Sequence, residues 1–507
     1  MIGKIIDSVR NKIFHRTSRF NFEYGARIVL YIIAGALPLF FLPFGVGVEL
    51  GREIAFGALI MLAAILWLFE VLTRGRLRYQ HSFVLYGAAL FFIVFSLSAL
   101  FSKAPWYSAV LGDVSPEKLS VLFLTIVLMI LTGSVFRSKH DVGLALLILI
   151  FAGGVSALFS MLQLLLGISL YGYMTSFAAN ANFNVVGTIN SLTLFYAALL
   201  AMGTGLVTSS WLMATKPWVR SAFFVSLVLL FANLILINFR TSWILLLGSS
   251  IFLFGFMFRK KTPLEVGFAE GESAVAGGNL PLTGQAAPVQ LKAAFLTGFG
   301  WRYWLALALI AISSFMIFVR SPLFGKIAIS SEVSPSFRAT WNIGRDVFKE
   351  GTKSILLGSG LGTFGLDWSR YKNPAINQTQ FWGVRFNQGF SWLSTLIATT
   401  GVLGVLVFVL FLGFSAFLFL RSILLLPVHD TELASSVFVG LVGTVIAAVL
   451  YPANFTLMIF LFMSVGFLSL LLTRRASEEI APQESGEAAP VSVSIPLKFL
   501  PRDIVEQ

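Results

Sequence analysis

The chain has 507 residues and no cysteine. Disulfide staples and thiolate chemistry are therefore excluded. Histidine is scarce, with only His15, His81, His140 and His429. Charge is scarce too: 12% of residues are Asp, Glu, Lys or Arg, against about 25% in ordinary soluble domains. A chain so poor in charge does not face water over most of its surface. What it has instead is apolar mass, 57% of residues, including 51 Phe and 11 Trp. That composition suits positions in lipid and at its interfaces.

The apolar residues come in runs of roughly 17–25, the length that crosses a bilayer as a helix. About twelve such runs lie near 28–47, 54–73, 83–101, 119–136, 142–168, 187–208, 221–239, 242–258, 303–319, 390–420, 434–450 and 455–473. A buried core accounts for one or two apolar segments but not for a series along the whole chain. The expected fold class is all-α, a polytopic integral membrane protein of about twelve transmembrane helices with one large extracytoplasmic loop. The 390–420 run has room for a short re-entrant helix before Gly401 and Gly404, followed by a full span. Ionisable groups inside the runs are almost absent apart from Glu70 near an end, which argues against a proton-coupled transporter.

Orientation follows from the short basic loops. With the N-terminus in the cytoplasm, Arg74 to Arg78, Arg137 to Lys139, Lys216 to Arg220, Arg259 to Lys261, Arg421 and Arg474-Arg475 all fall inside. The even number of runs returns the C-terminus to the same side. The net charge of +13 is thus read as span-flanking charge, and no nucleic-acid partner is inferred. The expected segments are a basic cytoplasmic N-terminus (1–27), helices one to eight (28–258), a flexible cytoplasmic linker (259–302), helix nine (303–319), the large loop (320–389), helices ten to twelve (390–473) and a disordered cytoplasmic tail (474–507). In the N-terminus, Ile5, Ile6, Val9, Ile13 and Phe14 fit either an interfacial helix or a loose basic tail.

The 320–389 loop holds Trp341, Trp368 and Trp382 and carries nine basic residues against four acidic ones. An anionic ligand explains that excess, as does contact with anionic headgroups. Ser336 to Gly351 has the start and stop signals of a helix. Arg338, Asn342, Arg345 and Lys349 share one face, and Phe337, Trp341, Gly344 and Phe348 share its neighbour. Arg is the side chain best matched to phosphate oxygens, which it meets with paired donors. Arg240 lies between two apolar runs with almost no loop, where a charge lines a cavity, meets a ligand or snorkels to the headgroups. The Gly358-Ser359-Gly360-Leu361-Gly362 run lacks the Lys and Ser/Thr of a phosphate-binding loop and is expected to form a tight turn. All four His fall on the cytoplasmic side in this topology, so no metal site is expected outside.

Taken in order, Gly187-Thr188-Ile189-Asn190, Phe239-Arg240-Thr241-Ser242-Trp243, Phe337-Arg338-Ala339-Thr340-Trp341, the turn from Leu357 to Phe364, and Phe386-Asn387 before Gly401 resemble the O-antigen ligase and polymerase superfamily of bacterial envelope glycosyltransferases. The twelve-span plan with its large loop between spans nine and ten is similar as well. The resemblance implies a GT-C-like membrane glycosyltransferase of the bacterial cytoplasmic (inner) membrane, with both termini cytoplasmic. It implies a polyprenyl-diphosphate oligosaccharide donor, a lipid or glycan acceptor, and no cofactor or metal. Arg240, Arg338 and Asn387 take the catalytic positions, and Arg345, Arg385, Tyr371, Trp341 and Asn190 the diphosphate- or glycan-binding ones. The family's loop places a His before that Asn, whereas this chain has Phe386. The base that deprotonates the acceptor is then sought among Glu332, Asp367 and Tyr371. A flippase or transporter of lipid-linked glycans, or an inactive binder of them, uses the same cationic cavity without chemistry. Because the chain is free of Cys, a single Cys placed at Thr379 should react with a membrane-impermeant maleimide in intact cells. Protection of that site would refute the orientation.

Overall fold

The computed structural model describes residues 21–43, 47–74, 76–80, 83–111, 116–180, 183–258, 301–319, 332–425, 428–478 and 492–496. The proposed N-terminal interfacial stripe, most of the 259–302 linker, the first part of the large loop and most of the tail lie outside these residues.

The long helices are α1 (Phe22–Ala36), α2 (Val48–Arg74), α3 (Phe83–Leu100), α4 (Leu119–Val135), α5 (Lys139–Leu166), α6 (Ile189–Val207), α7 (Pro217–Ile237), α8 (Arg240–Phe258) and α9 (Trp301–Phe318). The loop adds α10 (Phe337–Phe348), α11 (Thr352–Leu357) and α12 (Phe364–Tyr371). The chain then returns through α13 (Trp392–Leu425), α14 (Val428–Leu450) and α15 (Phe455–Glu478). Eight of these helices are long and apolar enough to cross a membrane. The protein is thus a helical membrane protein. One short antiparallel ribbon pairs β1 (Arg76–Gln80) with β2 (Ser492–Pro496), Arg76 opposite Pro496.

Local sequence explains the helix starts. The Asn21 side chain accepts from the Tyr24 amide to cap α1. Ser138 and Asp141 form a reciprocal capping box on α5, and Thr188 and Ser191 form one on α6. Pro217 opens α7, where its missing N–H costs nothing. Two boundaries differ from the sequence expectation. The first apolar run extends to 47, but α1 ends at Ala36, just before Pro38. The helix expected over 54–73 begins earlier, at Val48, and brings Glu49, Arg52 and Glu53 into its first two turns. Ionisable groups within the helices are therefore more numerous than the apolar runs alone indicate.

Nearly every residue of α6 and α15 is buried, so these two form the centre of the bundle. α14 and α8 pack on α6, and α4 packs on α15. The exterior is apolar: Leu62, Ile65, Leu68, Phe69 and Leu72 of α2 are exposed, a surface compatible with lipid. At the end away from the loop an ionic cluster joins three helices. Glu23 meets Arg137 and Arg74, and Arg27 pairs with Asp141 at 3.3 Å.

The other end is built around a broken helix. α13 is interrupted at Gly401, whose φ of 65° and ψ of −164° are not helical. A helix interrupted there leaves carbonyls without their usual i+4 donors. The glycine-rich turn supplies substitutes: Ser359 N–H donates to the Ala398 carbonyl (3.1 Å) and Gly360 N–H to the Thr399 carbonyl (2.9 Å). Ser98 of α3 donates to the Leu357 and Thr399 carbonyls, and Ser102 donates to the Ser359 carbonyl. The expected tight turn is present, and it is the clamp that fixes the loop to the bundle.

A Cβ on Gly358 would lie 2.3 Å from the Thr399 carbonyl carbon, and Gly358 already has a φ of +69°. Gly358→Ala is therefore expected to destabilise the fold by about 3 kcal/mol or more, from a backbone clash added to positive-φ strain. Gly413 faces open space, so Gly413→Ala should stay within about 0.5 kcal/mol of the wild type. Thermal midpoints in one detergent distinguish these outcomes.

Candidate functional site

Several of the segments singled out in the sequence meet around one turn, Tyr451-Pro452-Ala453-Asn454, between α14 and α15; Phe337 to Trp341 and the turn from Leu357 to Phe364 are not among them. The Tyr451 hydroxyl donates to Glu332 Oε2 at 2.6 Å and pairs with Thr188 Oγ1 at 2.7 Å. Asn190, in the first turn of α6, donates to the same Glu332 oxygen at 2.9 Å. The Tyr451 ring stands edge-on to Phe239, 5.9 Å between centroids, and Phe239 immediately precedes Arg240. The Tyr451 carbonyl accepts from the Trp392 amide (2.8 Å), and the Ala453 carbonyl accepts from Gln388 Nε2 (2.9 Å). Asn454 caps α15 through the Thr456 amide and donates to the Val186 carbonyl. Stretches 186–190, 239–243, 332 and 387–392 are thus tied to four consecutive residues. Burial, then the charge of Glu332 and its hydrogen bond, push the Tyr451 phenol well above its ordinary range.

Space beside this hub is limited. A Cβ on Gly187 (φ +130°) would come within 3.1 Å of Asn454 Nδ2 and 3.4 Å of Glu49 Oε1. Glycine is required there by conformation and by crowding alike. Deeper in, Lys118 and Glu53 form a buried ion pair at 2.9 Å. Arg52 is fully buried, donates to the Leu37 carbonyl at 2.8 Å, and lies over the Phe56 and Phe455 rings. Lys118 and Glu53 compensate each other, and with Arg52 they hold the start of α2 against α4 and α15.

The helix expected from Ser336 is α10, capped by the Ser336 side chain at the Ala339 amide. Its buried stripe is Thr340, Ile343, Gly344 and Val347, not the expected Phe337, Trp341, Gly344 and Phe348. Ile343 packs with Phe364, Trp368 and Ala398. That contact outweighs the pattern of aromatic residues and rotates Phe337 and Trp341 outward. These two rings are half-exposed and stacked on each other, with centroids 6.4 Å apart.

Arg338 and Arg345 remain on the outer face. Arg345 lies 3.8 Å from Asp346, and Lys349 lies 2.7 Å from it. Arg240 is exposed at the first position of α8. Arg240 and Arg338 have no ion pair among the described residues.

Other sequence-derived candidates belong to the framework of the loop. Tyr371 donates to Glu350, which also meets Lys103 at 2.6 Å and Arg370 at 2.8 Å. Burial raises the Glu350 pKa, but hydrogen bonds from Lys103 and Tyr371 and the charges of Lys103 and Arg370 outweigh it, so the net shift is downward. Arg385 donates to the Gly365 carbonyl and to the Tyr107 hydroxyl, both at 3.2 Å. Phe386 stands edge-on to Trp368 at 4.8 Å, inside the apolar cluster of the loop. Asn387 follows it, half-buried, next to the Gln388 that reaches Ala453.

No protein-family model matches the chain, and no curated protein matches it. The site therefore rests on its own geometry. Sequence reasoning missed Tyr451 and Asn454. The signal was available: two polar residues in Tyr-Pro-Ala-Asn separate two apolar runs, where only a short turn was needed. No group of three or more metal-ligating side chains occurs among the described residues.

Asp367 is buried beneath the glycine turn and accepts a hydrogen bond from Ser359. Burial raises its pKa to about 7, with the Ser359 hydrogen bond acting in opposition. A raised folded-state pKa means that the folded protein holds the proton more tightly than the unfolded chain. Stability is then full below the ordinary aspartate range and is lost as pH rises towards 7. Asp367→Asn should flatten that dependence between pH 4 and 7, as followed by thermal midpoint or amide exchange of the loop. An unchanged slope in the variant would assign the dependence to another group.

Proposed function

We propose that this protein transfers a glycan from a polyprenyl-diphosphate carrier to a lipid or glycan acceptor at the outer face of a bacterial cytoplasmic membrane, as an O-antigen ligase-like glycosyltransferase. In this reading α1 to α9 and α13 to α15 are the twelve spans, both termini are cytoplasmic, and α10 to α12 belong to the outer loop.

The observation that carries the reading is the placement of two guanidinium groups at one end of the bundle. Arg240 opens α8 and Arg338 lies in the first turn of α10; both are exposed, and neither has a carboxylate partner among the described residues. A helix N-terminus already favours an anion through its free N–H groups and its dipole. A guanidinium at the same place adds paired donors for phosphate oxygens. Arg240 is also held close to the hub, because Phe239 packs on Tyr451.

The chemistry asked of such a site is modest. The bond from the anomeric carbon to the diphosphate oxygen is already activated. The site must hold the diphosphate, stabilise the charge that grows on it as it leaves, and deprotonate the acceptor. Arg240 and Arg338 supply the electrostatic part, with Arg345 on the same outer face as Arg338. The exposed Phe337 and Trp341 rings offer a flat apolar surface for a sugar face.

One observation favours a second reading, a binder of lipid-linked glycans without chemistry. Phe386 occupies the position of the loop base in the families this chain resembles, and its ring is committed to packing against Trp368. In vitro transfer from a purified lipid-diphosphate glycan separates the two. Under the transferase reading, Arg240→Ala and Arg338→Ala should each lower kcat by about 10²–10³-fold, the typical effect of removing one preorganised donor. Unchanged turnover in both variants would sink the diphosphate-clamp assignment.

A further inference from the structure

We propose that Glu332 is the general base of this reaction: its carboxylate, oriented by the Tyr451 hydroxyl and the Asn190 amide, takes the proton of the acceptor hydroxyl. The inference rests on the glycan-transfer reading and adds to it the group that Phe386 cannot supply.

Of the other described carboxyls at this end, Glu49 also lies at the hub, but it is half-buried behind Gly187, whereas Glu332 is exposed; the rest are placed elsewhere. Asp346 is paired with Lys349, and Glu350 is held by Lys103, Arg370 and Tyr371. Asp367 is enclosed beneath the glycine turn on Ser359. Glu53 is buried on Lys118, and Glu117 is buried at the start of α4. Tyr371 donates its only proton to Glu350 and lies in the loop framework, away from the Tyr451 hub. Glu332 differs in combining exposure to solvent with a fixed orientation. Both of its hydrogen bonds among the described residues go to Oε2, which leaves Oε1 to face the acceptor.

A general base must reach the acceptor proton while the donor diphosphate rests on the guanidinium groups. The hub provides for both. Tyr451 holds Glu332 through its hydroxyl, and its ring holds Phe239, the neighbour of Arg240. Glu332 also leads directly into α10, which carries Arg338. Among the described residues, the titratable groups that face it are Tyr451 from the α14–α15 turn and Glu49 from α2, whose charge acts on the same phenol. Asn190 from α6 is uncharged.

In the step itself the acceptor O–H proton passes to Glu332. The acceptor oxygen forms a bond to the anomeric carbon, and the bond from that carbon to the diphosphate oxygen breaks. The electron pair leaves with the polyprenyl diphosphate, whose charge Arg240 and Arg338 hold. Glu332 then returns its proton to water.

The test uses the full-length protein in lipid nanodiscs with a fluorescent polyprenyl-diphosphate oligosaccharide as donor. A total membrane lipid and glycan extract serves as the acceptor pool, and release of polyprenyl diphosphate is the readout. Glu332→Gln should lower kcat by about 10²–10³-fold and abolish the acidic limb of the pH–rate profile, with donor affinity within about threefold of the wild type. Glu332→Asp should retain that limb at reduced rate. Tyr451→Phe removes one of the two hydrogen bonds that orient the carboxylate, so kcat should fall while donor affinity stays near the wild-type value. Wild-type turnover and an intact acidic limb in Glu332→Gln would overturn the assignment. Loss of donor binding together with turnover would also overturn it, by making Glu332 a structural residue. A wild-type protein that binds the donor but releases no diphosphate would instead overturn the transferase reading, and this inference with it.

Discussion

The break at Gly401 is the constraint from which the rest of the loop end follows. Inside an apolar bundle an unpaired backbone carbonyl is expensive, because no water is available to satisfy it. Interrupting α13 frees carbonyls at Ala398 and Thr399. The amides of Ser359 and Gly360 and the hydroxyl of Ser98 satisfy them. The loop is thereby joined to the bundle through backbone geometry rather than through side-chain complementarity. Gly358 and Gly360 have no side chain because the backbones of Thr399 and the wall of Ser102 stand within 2.3 Å of where a Cβ would be.

That clamp has consequences for chemistry. A loop attached only at its ends would sample many positions, and a catalytic group on it would be poorly placed. Here the chain is pinned at 358–360 by α3 and α13, at Phe390 by Thr340, and at Gln388 and Trp392 by the Tyr451 turn. The remaining charged residues then divide by function. Lys103, Arg370 and Tyr371 neutralise Glu350 and close the loop on itself. Arg240, Arg338 and Glu332 stay exposed, Glu332 on the hub and Arg240 beside it. Preorganisation of this kind is what electrostatic catalysis demands, since donors fixed in advance need not reorient as charge develops.

The two ends of the bundle use charge differently. At the far end Glu23, Glu70, Arg27, Arg74, Arg137 and Asp141 compensate one another. At the loop end Glu53 and Lys118 form a buried ion pair, and buried Arg52 meets a carbonyl and two aromatic faces. Compensation is the rule where water is excluded. Arg240 and Arg338 are exposed, so water reaches them and neither needs a partner of opposite charge among the described residues.

The amino-acid sequence by itself determined the membrane class, the helical character and the placement of most apolar helices, because length and hydropathy of a run are local properties. It also determined the capped helix at Ser336 and the tight turn at Gly358, both set by residues adjacent in the chain. Only the tertiary structure decided which face of α10 is buried, since Ile343 and Val347 are chosen by the Phe364 and Trp368 cluster and not by the periodicity of the aromatic residues. Only the tertiary structure brought charge into the first turns of α2, and only it made Tyr451 the meeting point of Thr188, Glu332 and Phe239. Glu332 and Thr188 lie 119 and 263 residues from Tyr451 along the chain. No local pattern encodes such a contact. It exists because the apolar helices pack side by side, and packing alone sets which of their ends meet.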